Sequence, residues 1–180
     1  MKLLNVNSYY YSSTVHYNLK LQLDRCGLKS STFVPVIKNY IPRKECLDTD
    51  DKDVVKKECY GKIDRYIFFS KNYKMLKEVQ RCFNLKEYDL THAHSLFTNG
   101  FIAMKLKKKY GIPYIVTVRD TDLNVFFKKA YHLRKLGVSI LSEANKVFFL
   151  SKPYLETTLK RYVKGEAAKE ITNKALVIPN

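Results

Sequence analysis

Residues 88–118 read YDLTHAHSLFTNGFIAMKLKKKYGIPYIVTV. The segment 88–94 mixes apolar and polar residues in the manner of a short, half-buried β-strand. A helical pattern follows, and Gly111 and Pro113 mark its end, because glycine terminates helices and proline cannot continue them. The run 113–118 is again apolar and β-branched, which predicts a second strand. A strand, a helix and a strand in this order predict a right-handed βαβ unit with parallel strands.

The same alternation extends towards both ends of the chain. Strands are predicted at 2–7, 31–37, 65–69, 88–94, 113–118, 145–151 and 174–180. Helices are predicted at 14–26, 70–83, 96–110 and 152–163 and, as one or two helices, within 121–145. In the first helix we expect an apolar face, formed by Val15, Leu19, Leu23 and Cys26. The sequence therefore predicts a single α/β domain over residues 1–180: a Rossmann-like parallel sheet flanked by helices on both faces.

Residues 38–65 interrupt this alternation. They carry eight basic and seven acidic side chains without a clear hydrophobic period. Such a segment predicts a long loop or an insertion with a short helix.

The chain is strongly basic, with a formal net charge of +16 over 180 residues. Residues 66–180 hold 21 basic side chains against nine acidic ones. The excess is concentrated in two clusters, Lys105/Lys107/Lys108/Lys109 and Lys128/Lys129/Arg134/Lys135. This balance suits an anionic partner such as a phosphate-bearing substrate, an anionic membrane or a nucleic acid, and an ordinary lysine-rich solvated surface is the alternative.

Several classes of protein are disfavoured by what the sequence lacks. The four cysteines form no CxxC pair, so neither a zinc site nor a thiol–disulfide motif is indicated, and a reducing compartment fits best. The segment VNSYYYSS after the first strand contains no glycine, which argues against a dinucleotide-dependent oxidoreductase. Basic and aromatic residues do not interleave as in nucleic-acid-binding surfaces, so no nucleic-acid partner is expected. A stand-alone basic module for an anionic membrane or nucleic acid is kept as the alternative function.

No secretion or membrane-spanning signal is evident either. The amino-terminal apolar run is short and is broken by Asn5, and no segment approaches the roughly 20 apolar residues of a membrane helix. We therefore expect a cytoplasmic protein, with peripheral contact to the inner face of the membrane left open.

Polar and aromatic side chains follow three of the predicted strands. They are Tyr9–Ser13, His92 with His94, and Arg119–Asp122. Because ligands of open parallel sheets bind beyond the carboxyl ends of the strands, we expect these segments to share one rim.

Five short motifs follow one another in the second half of the chain: Asp89 with His92 and His94, Gly111-Ile-Pro113, Arg119-Asp-Thr-Asp122, Ala144-Asn145 with Ser151, and Ile178-Pro-Asn180. Their order and spacing resemble the amino-terminal domain of retaining glycosyltransferases of the GT-B fold, in the group 1 (family 4) class. In that class the corresponding features are an Asp-x-x-His-x-His strand, a Gly-x-Pro, a His-Gly-x-Asp-like turn, an Ala-Asp strand that ends at Ser, and an Ile-Pro-Asn-Gly hinge. The resemblance is strong over residues 88–180 and weak over residues 1–37.

The resemblance implies a nucleotide-sugar-dependent hexosyltransferase that acts in bacterial surface polysaccharide or glycan biosynthesis. It implies that this chain is the acceptor-side half, that the carboxy-terminal donor-binding domain is absent, and that the chain alone is inactive. The expected partners are a sugar or lipid-linked glycan acceptor and, through the absent domain, the nucleotide-sugar donor. No cofactor and no metal are expected, because the resemblance implies metal-independent transfer.

Two positions depart from the pattern of that class. Its glycine-rich loop after the first strand is replaced by the aromatic and serine run 9–13, which removes the close backbone approach that glycine permits. Its His-Gly pair is replaced by Arg119 and Asp120, so that only Asp122 of the turn matches.

Asp122 is the predicted catalytic residue, because a carboxylate can orient a sugar hydroxyl or accept its proton. Arg119 is predicted to bind substrate, since its guanidinium offers a fixed bidentate fork to phosphate. We expect Arg119 and Asp120 to pair or to hold the turn, which would leave Asp122 facing the cleft. The alternative is that Asp122 only caps the helix that follows.

His94 and the tyrosine–serine loop complete the predicted substrate site. His94 is expected to contact the acceptor or a donor phosphate, with a buried, hydrogen-bonded pair of His92 and His94 as the alternative. The run Tyr9–Tyr11 is expected either to stack on a sugar or to anchor the loop, and Tyr11, Ser12 and Ser13 are the substrate-binding residues predicted there. His16, in the first helix, is interpreted as a surface or structural residue.

Overall fold

The structure, a computed structural model, describes residues 1–12, 14–40 and 51–179. Seven β-strands lie within these ranges: β1 (Lys2–Val6), β2 (Lys29–Ile37), β3 (Val54–Tyr60), β4 (Leu90–Ala93), β5 (Tyr114–Val118), β6 (Lys146–Phe149) and β7 (Ala175–Val177). They form one sheet in the order β3-β2-β1-β4-β5-β6-β7, and every neighbouring pair is parallel. The predicted fold class, a Rossmann-like parallel sheet flanked by helices, is therefore confirmed.

Helices lie between consecutive strands from β1 to β2 and from β3 onwards, as parallel pairing favours. They are α1 (Thr14–Arg25), α2 (Phe68–Cys82), α3 (Thr98–Tyr110), α4 (Arg134–Glu143), α5 (Lys152–Arg161) and α6 (Glu166–Lys174). Short 3₁₀ turns occupy Tyr10–Ser12, Ile63–Tyr66, Leu85–Glu87 and Tyr131–Leu133, and a π-helical segment spans Asp122–Phe127. Gly111 ends α3 in the left-handed conformation, with φ 74°, as its place in the sequence predicted.

The core lies where α3 and α4 cover the central strands. Eight residues of α3 are buried, including its polar first turn, so this helix is enclosed almost all round. Gly137 of α4 allows close contact, because a Cβ at this position would lie 2.6 Å from the ring of Phe97. The buried start of α3 is thus held between the sheet and α4, and it is this end that faces the site described below.

Two predictions between residues 38 and 69 are wrong. Residues 54–60 are not part of a loop but form β3, which pairs with β2 as an edge strand of the sheet. Residues 65–69 do not form a strand, because a 3₁₀ turn ends at Tyr66 and α2 begins at Phe68. From the first turn of α2, the ring of Phe68 packs 5.9 Å from the rings of Phe101 and Phe126. Residues 41–50 of the predicted insertion lie outside the described ranges.

The predicted apolar face of α1 is also wrong. Val15 and Leu19 are 43% and 36% exposed, whereas His16 and Lys20 are buried. Lys20 is buried because its ammonium group pairs with Asp24 and Asp51, at 2.7 and 2.6 Å. The helix therefore turns a polar face towards the sheet, beside the end of β1.

Candidate active-site crevice

The carboxyl ends of β1, β4 and β5 lie side by side, and the loops that leave them meet in one crevice. β1 is the point where the strand order reverses, because β2 lies on one side of it and β4 on the other. The guanidinium carbon of Arg119, after β5, lies 4.6 Å from the ring centre of Tyr9, after β1. The hydroxyl of Tyr9 lies 3.5 Å from the hydroxyl of Thr121. Residues more than a hundred positions apart in the chain are thus neighbours.

Asp122 does not face this crevice. The prediction that it would do so is wrong, because its side chain is buried. Its side chain is 1% exposed, and both carboxylate oxygens accept backbone hydrogen bonds. The donors are the N–H groups of Leu96 at 3.0 Å, Phe97 at 3.1 Å and Arg119 at 2.9 Å. The carboxylate therefore occupies the amino-terminal end of α3, where unpaired N–H groups favour an anion.

The electrostatics of Asp122 fit this structural position. Burial raises its pKa to about 6, although the three backbone N–H groups and the charge of Arg119 favour its ionised form. At neutral pH the group is thus largely ionised and accepts all three hydrogen bonds. Its effect is to join the β4–α3 loop to the turn after β5, and so to fix the position of Arg119.

Arg119 does not pair with Asp120 in the way expected. Its Nη1 donates a hydrogen bond to Nε2 of His16, at 3.1 Å, while the plane of the guanidinium lies over Tyr9. Asp120 instead accepts hydrogen bonds from Asn124 at 2.6 Å and from the hydroxyl of Tyr154 at 3.0 Å. Arg119 is half-buried and fixed on two sides, which leaves part of its fork for a ligand.

Three histidines extend from Arg119 into the molecule. The rings of His92 and His94 stack at 4.0 Å, and that of His16 meets His94 edge-on at 5.5 Å. Nε2 of His94 lies 3.1 Å from Oδ1 of Asn5, and Nε2 of His92 lies 3.0 Å from Oγ1 of Thr117. His92 and His94 are therefore a buried, hydrogen-bonded pair, which was the alternative to a contact between His94 and substrate.

All three imidazoles are neutral at physiological pH. Burial, followed by the charge of Arg119, lowers the pKa of His16 to about 4. Burial, followed by neighbouring histidines, lowers that of His92 to about 4 and that of His94 well below its ordinary value. Because a guanidinium only donates hydrogen bonds, Nε2 of His16 accepts, which a charged imidazole would not do.

The predicted loop residues are placed differently from one another. Tyr11 packs on Tyr10, Val34 and Val36, on the β2 side of the loop, with Lys56 at 5.6 Å from its ring. Ser12 is exposed and caps its own turn, since its hydroxyl donates to the carbonyl of Tyr9 at 2.6 Å. Ser13 lies outside the described residues. The aromatic residue in contact with Arg119 is thus Tyr9.

Sequence reasoning missed the parts played by His16, Asn5 and Asn99. Asn99 is fully buried, and its Oδ1 accepts a 2.7 Å hydrogen bond from Ser8, which ties the β1 loop to α3. No motif distinguished these residues. Asn5 and Asn99 lie near the ends of predicted strands, but so do Tyr11 and Ser12, and His16 lies nine residues beyond the first predicted strand.

Behind Tyr10 and His16 lies a small pocket with an empty volume of about 190 Å³, its mouth included. Asn5, Asn7 and His94 supply polar atoms to it. Because this volume includes open solvent at the mouth, the enclosed part is smaller still, and a sugar does not fit inside it. Across the described part of the chain, no three His, Cys, Asp or Glu side chains are placed to share a metal ion.

Solved structures similar to this one include two of sucrose-phosphate synthase from Thermosynechococcus elongatus. One aligns with 100% of this chain and 89% of its own, with a TM-score of 0.65 and 13% identity. The other aligns with 99% of this chain and 48% of its own, with a TM-score of 0.68 and 12% identity. At such identities the likeness establishes the fold, that of the Rossmann-like half of a GT-B glycosyltransferase.

Among curated proteins, the chain is 28% identical over 92 residues to an uncharacterized glycosyltransferase of Methanocaldococcus jannaschii. The match covers 51% of this chain and 23% of that protein, so the chain spans about a quarter of its relative's length. No family model matches the chain. The resemblance to GT-B glycosyltransferases expected from the sequence motifs is confirmed by these similarities.

Proposed function

We propose that this chain is the acceptor-side half of a nucleotide-sugar-dependent glycosyltransferase, with hexose as the sugar transferred. The observation that carries the proposal is the crevice at the carboxyl rim, where Tyr9, His16 and Arg119 converge from two strand exits and a helix. The fold likeness and the glycosyltransferase relative support the same class of enzyme. In this proposal a second α/β domain supplies most of the contacts to the donor, and the 180-residue chain alone is inactive.

Arg119 is the proposed substrate-binding residue with the clearest geometry. Its guanidinium is fixed by Tyr9 and His16 before a ligand arrives, so little side-chain entropy is lost on binding an anion. A planar, fixed fork suits the diphosphate of a nucleotide-sugar or a phosphate of a lipid-linked acceptor. The half-buried ring of Tyr9 is proposed to pack against the sugar ring beside it.

Asp122 is proposed to act as a positioning residue. Its carboxylate is 1% exposed and is occupied by three backbone N–H groups. It therefore sets the geometry of the Arg119 turn instead of exchanging a proton with an acceptor hydroxyl. His94 is proposed to contribute in the same indirect way, since it is 5% exposed and lies behind His16.

The biological setting proposed is the synthesis of a bacterial surface polysaccharide or glycan on the cytoplasmic side of the membrane. The acceptor is a sugar or a lipid-linked glycan, and the net charge of +16 favours contact with an anionic membrane. Among the described residues, no helix is long and apolar enough to cross a membrane. The membrane contact proposed for this part of the chain is peripheral.

Calorimetric titration of the 180-residue chain with UDP-glucose and GDP-mannose tests the proposal. A half-site should bind more weakly than about 1 mM, that is, by less than about 4 kcal/mol. Arg119→Met should abolish this weak binding, Arg119→Lys should retain part of it, and the exposed Arg161→Met serves as the matched control. Micromolar binding by the chain, or binding that Arg119→Met leaves unchanged, would contradict the assignment.

A further inference from the structure

One edge of the molecule exposes an unusual concentration of large apolar side chains. Ile63 is 77% exposed, Tyr66 90%, Ile67 52%, Phe69 47% and Tyr73 50%. These residues, here called the apolar edge, lie in the 3₁₀ turn after β3 and in the first two turns of α2. Scattered exposed apolar residues need no explanation, but five within eleven positions form a patch that does.

Ring contacts connect the apolar edge to the helices beside it. Phe69 and Tyr73 meet the ring of Phe101 in α3, at 6.1 and 5.3 Å. Phe68 meets Phe126 of the π-helical segment at 5.9 Å, next to Val125, which is 43% exposed. The patch therefore continues to the segment Asp122–Phe127, which begins three residues after Arg119 of the crevice.

Basic side chains surround these apolar residues. Lys62 and Arg65 are exposed within the same turn, and Lys105 lies over the rings of Tyr73 and Phe101, at 5.7 and 5.5 Å. Lys128 and Lys129 are exposed one turn after Val125. The acid within the turn, Asp64, is turned inward and is paired with Lys74 at 2.7 Å. The surface thus offers tyrosine, isoleucine and phenylalanine side chains within a ring of positive charge.

We propose that the apolar edge docks on the surface of an anionic membrane. Tyrosines and phenylalanines favour the boundary between head groups and acyl chains, and flanking lysines are attracted to anionic head groups. Each basic residue near such a surface strengthens binding about fivefold. The charge of the patch is complementary to a membrane, whereas an ordinary protein interface has few lysines at its centre.

The inference deepens the proposed function and rests on it in one respect, the lipid-linked acceptor. Docking through the apolar edge would bring the crevice near the head groups, because Phe126, which meets Phe68 of the edge, belongs to the segment that follows Arg119 in the chain. An acceptor sugar carried on a lipid would then reach Tyr9 and Arg119 without leaving the membrane.

Sedimentation with vesicles tests the docking surface directly. The 180-residue chain is mixed with vesicles of phosphatidylcholine alone, or with about one-third phosphatidylglycerol, at low and at high salt. Wild-type protein should sediment with the anionic vesicles and at least tenfold less with the neutral ones. The double variant Tyr66→Ser/Ile67→Ser should reduce binding on the order of tenfold. Lys128→Glu/Lys129→Glu should reduce it about 25-fold or more.

Matched controls come from other surfaces of the molecule. Leu176→Ser removes a 47% exposed apolar side chain from β7, at the opposite edge of the sheet from β3. Lys164→Glu/Lys169→Glu makes the same charge change at exposed positions near α6. Both controls should bind anionic vesicles within about twofold of the wild type, with circular dichroism showing that every variant is folded.

Two results would overturn the docking surface: no sedimentation of wild type with anionic vesicles, or equal losses in the edge variants and their controls. Size-exclusion chromatography detects the competing occupant, a second copy of the chain, and a dimer abolished by Tyr66→Ser/Ile67→Ser without vesicle binding would also overturn it. Failure here is distinguishable from failure of the proposed function, because sedimentation requires no nucleotide-sugar and the titration of Arg119 requires no lipid.

Discussion

Asp122 is a buried carboxylate that joins two segments of backbone. Its oxygens accept hydrogen bonds from Leu96 and Phe97 at the start of α3, and from Arg119 after β5. Without this carboxylate, the three N–H groups would need water or a bound anion as their acceptor. Here an internal anion satisfies them, and the crevice keeps its shape without a ligand.

Removal of this carboxylate should therefore be costly. Asp122→Ala leaves three buried N–H groups without an acceptor, and we expect a loss of about 3–5 kcal/mol in the free energy of unfolding. Urea denaturation measures it, with the exposed Asp120→Ala as the matched control. A loss below about 1 kcal/mol, equal to that of the control, would show that Asp122 does not hold the turn.

The neutral histidines predict a loss of stability in acid. The folded-state pKa values of His16 and His92 lie near 4, and burial holds the pKa of His94 well below its ordinary value of 6.5. The unfolded state therefore binds more protons below pH 6.5. The stability they contribute is thus complete above pH 6.5 and is lost as pH falls towards 4. At pH 5 the loss is about 2 kcal/mol for each of His16 and His92, and His94 contributes in the same direction.

Asp122 acts in the opposite direction over part of this range. Its raised pKa means that the folded state takes up a proton near pH 6, which offsets about 1–2 kcal/mol of the loss. The net effect is still a loss of several kcal/mol between pH 7 and pH 5. Urea denaturation at both values should show a smaller loss for His92→Gln than for wild type. The exposed His132→Gln should leave the pH dependence unchanged, and an unchanged dependence in His92→Gln as well would refute the explanation.

In helix α4, close packing outweighs helix propensity at Gly137. In α4, a Cβ at Gly137 would lie 2.6 Å from the ring of Phe97 and 2.9 Å from that of Phe127. Alanine in an exposed helix position would stabilise by up to about 1 kcal/mol relative to glycine. At this position the contact with α3 reverses the sign.

We therefore expect Gly137→Ala to destabilise the protein by about 1–3 kcal/mol, because the rings of Phe97 and Phe127 must move. Thermal unfolding measures the effect, and Lys135→Ala, at an exposed position of the same helix, is the control. An increase in Tm for Gly137→Ala would mean that α4 does not press on the start of α3.

The elements that could be predicted are those whose signals are local. Gly111 and Pro113 end α3 through their own backbone chemistry, so the βαβ unit around them could be recognised from the sequence. The aromatic run around Phe68 has the composition of a strand, but its helix is decided by Phe101 and Phe126, which are distant in sequence. Helix α6 was not predicted, because it spans only nine residues and Ile171 is the single large apolar residue on the face that packs on the core, beside Ala167 and Ala168.

In the molecule as a whole, the topology of the sheet made the place of the site predictable but not its composition. Parallel strands exit at one rim, so Tyr9, His94 and Arg119 were expected to lie near one another. Which of them face a ligand depends on contacts that no local pattern encodes. Tyr9 rather than Tyr11 meets Arg119, and His16 enters the cluster because α1 turns a polar face to the sheet.

The most direct test of the central claim, that separate strand exits form one ligand-binding crevice, is a ¹⁵N-edited NMR titration of the chain with UDP-glucose. The shifted amide resonances should fall together in residues 7–12, 94–97 and 119–122, and Arg119→Met should remove the shifts in all three segments at once. Shifts confined to one segment, or spread over the lysine-rich face of α3, would contradict it.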